Sequence, residues 1–281
     1  MTLDEIRELL NAEVIFGEAR HMKKEIKTAF GADLLSDVLA FARPKCLLIT
    51  GLTNIVSLRT AYTLDIAAIL IVRGKKPSTG YAGIARELDI PVLSTTYILF
   101  ETSGRLYQQG IVGCLRGDYD KSKHSIYCQE AFEGSFTIKG RQFADAGKAA
   151  SEVKKVLREK GLPEDAVRKA SVVTFEAEVN IICYAEQGTI YYRVSPVSIL
   201  VEAIDKGSGI ADIELAMQEG YSTADARIRE LGFGAGMGLA NMKRFSDVFE
   251  MVSDVGQGTH IKSIIKIQDV KTNSKNEPVD D

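Results

Sequence analysis

Glu176 and Asn180 are the residues whose types and spacing point most directly to chemistry. They lie four positions apart in a segment with helical apolar periodicity, so we expect them side by side on one helix face, with Glu178 pointing away from them. A carboxylate can take a proton from a hydroxyl group, and an amide oxygen beside it can bind magnesium. The pair predicts a general base next to a magnesium ligand, although a solvated helix edge explains it as well.

A second segment, residues 205–209 (DKGSG), follows directly after an apolar strand. Asp205 at the strand end can accept a hydrogen bond from an exocyclic amine, and Gly207 and Gly209 let the backbone approach a flat ring closely. The segment is therefore a candidate site for a nucleotide base. A plain glycine turn, in which Asp205 bonds to its own backbone, is the alternative.

A third segment, residues 232–239 (GFGAGMGL), has four alternate glycines and leads into a helix. Alternate glycines predict a mobile loop whose amide groups can turn toward phosphates. The spacing differs from the GxGxxG of a dinucleotide fold, and no Gly-Lys-Ser/Thr follows as in a P-loop. A fourth segment, residues 256–259 (GQGT), is by itself an ordinary hairpin turn between the last two strands.

In this order and at these separations, the four segments resemble the nucleotide-binding boxes of the GHKL ATPases, the superfamily of the histidine kinases and gyrase. The resemblance covers roughly residues 123–268 and implies a Bergerat-type (GHKL) α/β sandwich that binds ATP and Mg²⁺. It implies that Asn180 holds the magnesium ion, that Asp205 contacts the adenine amine and that Thr259 supports Asp205. The other residues assigned to the nucleotide are Gly207, Gly209, Gly234, Gly236, Gly238, Leu239, Lys243 and Gly258.

Further phrases resemble the anti-sigma-factor and switch-protein serine kinases, namely residues 220–223 (GYST), 242–247 (MKRFSD) and 253–259 (SDVGQGT). In those kinases the glutamate of the first box is the catalytic base, which here is Glu176. None of the three histidines has the helical setting of a histidine-kinase phosphoacceptor. The chain departs from the pattern of those kinases in two places. Residues 175–178 read FEAE, where a Ser-Glu start is usual, and the insertion 224–231 before the glycine loop is long and charged.

The first half of the chain alternates between strand-like and helix-like patterns. Strands are expected at residues 46–50, 66–72 and 90–93, with helices at 34–41, 55–62 and 81–88. This alternation predicts a parallel sheet with right-handed crossovers, and so an N-terminal α/β domain. The phrases ADLLSDV, LITGLTNIV and FETSGRLY within it resemble the DRTGG domain, a regulatory module, so we expect a sensor for an unknown small-molecule ligand.

Polar residues follow two of the expected parallel strands. Open sheets bind ligands at the carboxyl ends of their strands, so these residues are a candidate sensor pocket. The same polar groups would equally serve as helix caps. The candidates are Thr50, Gly51, Asn54, Ser94 and Thr95.

Composition divides the chain into four parts. We expect a regulatory domain at 1–113, a linker rich in glycine and charge at 114–123, the ATP-binding kinase domain at 124–268 and a disordered tail at 269–281. The net charge of −3 argues against a protein that binds nucleic acid mainly by electrostatic attraction. No apolar run reaches the ~18 residues that a membrane-spanning helix needs. We therefore expect a cytoplasmic protein.

The four cysteines are scattered singly and lack metal-ligand or CxxC spacing, so we expect buried thiols rather than a metal or disulfide site. They are Cys46, Cys114, Cys128 and Cys183.

The function expected from these features is that of a signalling serine/threonine protein kinase, an ATP-dependent phosphotransferase of the anti-sigma-factor type. Its partner would be a small STAS-type antagonist or a sigma factor, and the first domain would sense a ligand or dimerise the chain, so a homodimer is expected. Two alternatives stay open. One is a nucleotide-gated protein that sequesters a partner without kinase activity, and the other is a slow ATPase.

Overall fold

The computed structural model describes residues 1–114 and 131–267. The expected linker at 114–123 lies outside the described residues apart from Cys114, and so do Cys128 and the expected tail at 269–281.

The first half of the chain folds around a six-stranded sheet in the order β1-β5-β4-β3-β2-β6. Its strands are β1 (Glu13–Phe16), β2 (Thr28–Gly31), β3 (Leu47–Thr50), β4 (Ala68–Ile71), β5 (Val92–Ser94) and β6 (Val112–Gly113). Its helices are α1 (Leu3–Leu9), α2 (Ala19–Met22), α3 (Leu35–Phe41), α4 (Ile55–Thr63), α5 (Tyr81–Glu87) and α6 (Leu99–Gln108). Strands β2 to β6 pair in parallel, and β1 pairs antiparallel with β5.

The predicted parallel sheet is confirmed, and its three predicted strands are the central ones. Strands β3 and β4 are buried along their whole length, which explains their continuous apolar sequences. Strands β1, β2 and β6 were not predicted. They are short and largely exposed or half-buried, so their residues carry little of the apolar pattern that identifies a strand.

The second half contains a five-stranded antiparallel sheet in the order β10-β11-β9-β8-β7. Its strands are β7 (Phe132–Lys139), β8 (Ala185–Val194), β9 (Ser198–Gly207), β10 (Val248–Asp254) and β11 (Gly258–Lys266). Its helices are α7 (Lys148–Glu159), α8 (Glu164–Tyr184), α9 (Ile213–Ala216), α10 (Ala226–Glu230) and α11 (Gly238–Arg244). The antiparallel sheet with helices is the architecture expected for the C-terminal half.

Helix α8 is the element that brings the sheet and the candidate catalytic residues together. Glu164 and Asp165 in its first turn suit the positive end of the helix dipole. Val172, Phe175 and Val179 then repeat at helical spacing and are buried. The helix packs against β8, β9 and β11 with this stripe, as its apolar periodicity predicts.

The two halves pack against each other through buried cations. Arg59 of α4 donates from Nη1 to the carbonyl oxygens of Ala144 and Ala146, at 2.6 and 3.1 Å. Lys154 of α7 is fully buried, and its Nζ donates to the carbonyl of Thr63 at 2.8 Å and pairs with Asp65 at 3.0 Å. Both buried cations are thus paired with oxygen atoms across the contact between the two halves. No helix in the described ranges is long and apolar enough to cross a membrane.

Two of the cysteines are not isolated. Cys46 precedes β3 and Cys114 follows β6, and their thiols hydrogen-bond to each other. The bond from Cys46 lowers the pKa of Cys114 to about 6, whereas this bond and burial raise the pKa of Cys46. The sequence spacing gave no sign of this pair, because the sheet brings together strands that are far apart in the chain.

Candidate nucleotide site

A cavity of about 520 Å³ lies between α8, the ends of β9 and β11, and the glycine loop before α11. Its volume is within the range of small-molecule and cofactor sites. Residues from the four sequence segments come together around it. They are Glu176, Asn180, Asp205, Gly207, Gly209, Gly234, Gly236, Gly238, Leu239 and Thr259.

Glu176 is a buried carboxyl group at the wall of this cavity. Burial raises its pKa to about 7, and a hydrogen bond from Asn241 opposes that shift. The Asn241 Nδ2 atom lies 2.6 Å from Glu176 Oε1. A carboxyl that titrates near neutral pH can act as a general base. Asn241 was not predicted as a site residue, although it lies in the helix that follows the glycine loop.

The expected pairing of Glu176 and Asn180 on one helix face is present. A Cβ atom built on Gly238 would lie 3.3 Å from both Glu176 Oε2 and Asn180 Oδ1. The start of α11 therefore approaches the pair closely, and glycine keeps that contact free of a side chain. Within the described ranges, no cluster of three or more His, Cys, Asp or Glu side chains could hold a metal by itself. A magnesium ion here would need phosphate oxygens alongside Asn180, as is usual for this ion.

Glu178 points away from the pair, as expected, but it is buried rather than solvated. Its carboxylate accepts backbone N–H bonds from Ala149 and Ala150 at 3.2 and 3.3 Å. Burial raises the pKa of Glu178 to about 7, against these bonds. Glu178 therefore caps the first turn of α7, which is a structural role.

Asp205 lies at the end of β9, and its Oδ1 accepts a bond from the backbone N–H of Thr259 at 3.3 Å. Burial raises the pKa of Asp205, while N–H groups of Thr259 and Gly207 oppose the shift. The hydroxyl of Thr259 bonds instead to Ser253 at 2.9 Å. Thr259 thus contacts Asp205 through its backbone. Gly258 holds this turn at φ 115°, and a Cβ there would come within 2.1 Å of the Asp205 carbonyl.

The backbone of the glycine loop adopts conformations that favour glycine. Gly232, Gly234 and Gly236 have φ of 87°, 79° and 74°, in the left-handed region. A Cβ on Gly234 would lie 2.3 Å from that of Ala224, and one on Gly236 would lie 2.4 Å from the Gly220 carbonyl carbon. The alternate glycines therefore fit the loop against residues 220–224. We call residues 232–238 the lid.

Two predicted nucleotide-binding residues, Lys243 and Gly258, lie outside the cavity lining. Lys243 is exposed on α11 and does not belong to the cavity lining. Its predicted contact with the nucleotide is not supported by this placement.

Three residues of the first domain complete the cavity, and the sequence did not predict them. Leu35, Ser36 and Leu39 of α3 line it together with α8 and the lid. The Leu35 N–H donates to the Gly232 carbonyl at 3.2 Å, so α3 is joined to the start of the lid. From the sequence, the apolar face of α3 could be assigned only to the core of its own domain.

Several polar groups of the candidate sensor pocket bond to the protein itself. Asp33 Oδ1 accepts bonds from Thr50 Oγ1 at 3.1 Å and from the Gly51 N–H at 2.6 Å. Asn54 caps α4 through Ser57, at 3.1 Å, as the helix-cap alternative predicts.

The remaining candidates lie on the neighbouring strand. Thr95 donates to the Leu10 carbonyl at 2.8 Å, and Ser94 is half-buried at the end of β5. Arg73 lies against Gly51 and donates to Asp33 at 2.5 Å. These polar groups stabilise the strand ends, and a ligand there would have to compete with them.

Two protein-family models match parts of this chain. Residues 5–109 match the DRTGG domain, and residues 142–265 match the histidine kinase-like ATPase domain. The chain is similar to the anti-sigma F factor of Thermoanaerobacter sp. (strain X514), with 37% identity over 98 residues, 35% of this chain and 61% of that protein. It is also similar to the serine/threonine-protein kinase RsbT of Bacillus subtilis (strain 168), with 34% identity over 104 residues, 35% of this chain and 72% of that protein.

The chain spans about three fifths of the length of the anti-sigma F factors that it matches. Among solved structures, it is similar to the CBS and DRTGG domains of the regulatory region of Clostridium perfringens pyrophosphatase, complexed with diadenosine tetraphosphate. That similarity has a TM-score of 0.32 and 20% identity, and covers 38% of this chain and 46% of the other. Nothing about a ligand follows from a similarity at this level.

Proposed function

Because this chain belongs to the histidine kinase-like ATPase family and carries a DRTGG domain ahead of its ATPase domain, we propose that it is an ATP-dependent serine/threonine protein kinase of the anti-sigma-factor type. The observation that carries the proposal is the buried carboxyl of Glu176, with a pKa of about 7, in the cavity that also holds Asn180 and Asp205. A protein that only binds nucleotide has no need of such a base.

ATP would bind with its adenine amine at Asp205, whose carboxylate is held by the Thr259 backbone. Gly207 and Gly209 would let the ring lie close to the backbone, and the lid would cover the phosphates. Asn180 would hold magnesium, which supplies positive charge that offsets the phosphates when it is bound.

In the transfer step, the acceptor hydroxyl oxygen bonds to the γ-phosphorus and ADP leaves with the electron pair of the broken bond. Glu176 takes the hydroxyl proton, and Asn241 orients the carboxylate that receives it. The acceptor would be a serine or threonine of a small regulatory protein, such as a STAS-type antagonist. This partner class is supported by similarity to an anti-sigma F factor and to RsbT. We further propose that residues 1–113 regulate this activity.

One observation favours a second function. Helix α3 forms part of the cavity wall and would restrict the approach of a partner's serine. In this state the chain would act as a nucleotide-gated binding protein, or as a slow ATPase that transfers phosphate to water.

Purified protein incubated with labelled Mg-ATP and a small STAS-type protein tests these functions. Label on the partner supports the kinase, release of free phosphate without label on protein supports the ATPase, and ATP binding without either supports the binder. Glu176→Gln should keep ATP binding and lose transfer. Glu178→Gln is the matched control, because it removes another buried carboxylate of α8 and should keep transfer. If Glu176→Gln phosphorylates the partner at the parental rate, Glu176 is not the base.

A further inference from the structure

Among the buried hydroxyl groups of the described residues that lack a hydrogen-bond partner, Ser36 of α3 is the one that lines the nucleotide cavity. It is nine-tenths buried, lines the nucleotide cavity, and its Oγ has no hydrogen-bond partner in the part of the chain that the structure describes. Ser36 is the second residue of α3, so the carbonyl one turn earlier, to which a mid-helix serine such as Ser171 donates at 2.7 Å, lies outside the helix. An enclosed hydroxyl without such a bond needs an explanation.

The contacts of α3 place Ser36 toward the lid end of the cavity. The Leu35 N–H bonds to the carbonyl of Gly232, where the lid begins, at 3.2 Å. At the other end of the helix, Arg244 Nη1 donates to the Ala40 carbonyl at 3.4 Å, beside the end of α11. Helix α3 therefore lies against the start of the lid at its first residue and contacts the last residue of α11 near its other end.

The candidate base and the candidate magnesium ligand line the same cavity as Ser36. Glu176 Oε2 and Asn180 Oδ1 both approach Gly238, the first residue of α11. The wall of the cavity thus brings together a buried carboxyl group, an amide oxygen and an unpartnered hydroxyl group. These are the groups that a phosphoryl transfer to serine requires.

We propose that Ser36 is an intramolecular phosphoacceptor of this chain. The Ser36 oxygen forms a bond to the γ-phosphorus of ATP, the bond from that phosphorus to the bridging oxygen breaks, and ADP leaves with its electron pair. The hydroxyl proton passes to the Glu176 carboxylate. The proposal rests on the proposed kinase function and adds an acceptor within the same polypeptide.

Phosphorylation would change the contact between the two domains. A phosphoserine carries about −1.5 to −2 charges at neutral pH, which an apolar wall formed with Leu35 and Leu39 cannot accommodate. Asp33 and Asp37 lie on either side of Ser36 in the sequence and would add like-charge repulsion. The modified α3 would leave the cavity wall and open the cavity to a partner's acceptor serine.

The test is phosphosite mapping by mass spectrometry on the full, unaltered chain after incubation with Mg-ATP, which depends on no variant folding. We expect phosphate at Ser36, formed at a rate per molecule that does not change with protein concentration. Ser36→Ala and Glu176→Gln should lose it, Ser36→Thr should retain at least part of it, and the exposed Ser135→Ala should match the parent. Thermal melting and ATP binding of each variant separate loss of the acceptor from loss of the fold.

Three outcomes would overturn the proposal. Phosphate on another residue of the chain with none on Ser36 would exclude Ser36, and a rate that rises with protein concentration would place the acceptor in a second molecule. A STAS-type partner that is phosphorylated while Ser36 stays unmodified would overturn this inference and leave the proposed kinase function intact. ATP binding with no transfer to Ser36 or to any partner would instead count against the kinase function itself.

Discussion

The side-chain amide of Asn241 donates a hydrogen bond of 2.6 Å to the carboxylate of Glu176, 65 residues earlier in the chain. Asn241 is fully buried, and its Oδ1 has no hydrogen-bond partner within the described residues. Since α11 follows directly from the lid, this bond connects the position of the lid to the orientation of the candidate base. A movement of the lid that shifts α11 would therefore also change the environment of Glu176.

Removal of the Asn241 bond should slow phosphoryl transfer and shift its pH dependence. A hydrogen bond to a charged group contributes about 1.5–3 kcal/mol, so Asn241→Ala should lower the transfer rate by roughly ten- to hundredfold. Because the bond lowers the Glu176 pKa, its loss should move the rising limb of the pH–rate profile above pH 7. If the variant transfers phosphate more slowly but its pH–rate profile is not shifted, the role of Asn241 is purely structural.

Stability should depend on pH through Glu176. Its pKa is about 7 in the folded protein and 4.5 ordinarily, so the folded state binds the proton more tightly. Folding stability is then lost as pH rises from about 4.5 to about 7, by roughly 3 kcal/mol at about 1.4 kcal/mol for each pKa unit. Glu176→Gln should remove this loss.

Urea unfolding of the parent and of Glu176→Gln at pH 5 and pH 8 measures this effect. The variant should be more stable than the parent at pH 8, and the two should differ less at pH 5. Glu178 contributes a similar pH dependence to both proteins, so the difference between them isolates Glu176. Equal stability differences at the two pH values would show that the Glu176 carboxyl is not held neutral by burial.

Asp205→Asn should reduce the preference for adenine. The carboxylate accepts hydrogen bonds only, whereas the Asn amide can also donate, so the variant should discriminate less between ATP and GTP. Isothermal titration with both nucleotides measures the ratio of affinities, and exposed Asp247→Asn is a control away from the cavity lining. An unchanged ratio in Asp205→Asn would remove Asp205 from base recognition.

Leu39→Ala should weaken ATP binding because Leu39 of the first domain forms part of the cavity wall. Leu106→Ala is a matched control, since Leu106 is equally buried but lies in a separate apolar cluster on the first sheet. Both variants should lose about 2–5 kcal/mol of stability. Only Leu39→Ala should change ATP affinity, and equal affinities in the two variants would exclude a contribution of α3 to the site.

Cys114 should react with alkylating reagents at neutral pH. The hydrogen bond from Cys46 lowers the Cys114 pKa to about 6, so most of this thiol is ionised at pH 7. Iodoacetamide labelling followed by peptide mass spectrometry should modify Cys114 before buried Cys183, whose pKa burial raises to about 12. Cys46→Ala should slow the labelling of Cys114. A rate unaffected by this substitution would mean that Cys46 does not stabilise the thiolate.

The sequence alone determined the features that depend on local pattern. The central strands β3 and β4, the helix α8 and the final strand β11 were all predictable, because long or strongly periodic apolar segments have one stable arrangement relative to a core. The order of the four sequence segments resembles the nucleotide-binding boxes of the GHKL ATPases, and this resemblance was visible in the sequence alone.

The tertiary structure decided what local pattern leaves open. The short strand β1 and the contact of Asn241 with Glu176 involve partners far apart in the chain, and many such pairings fit the same periodicity. The same holds for α3, whose apolar face was compatible with any core until packing placed Ser36 at the nucleotide cavity. Helical spacing shows that a face is buried, but only the packed fold determines what covers it.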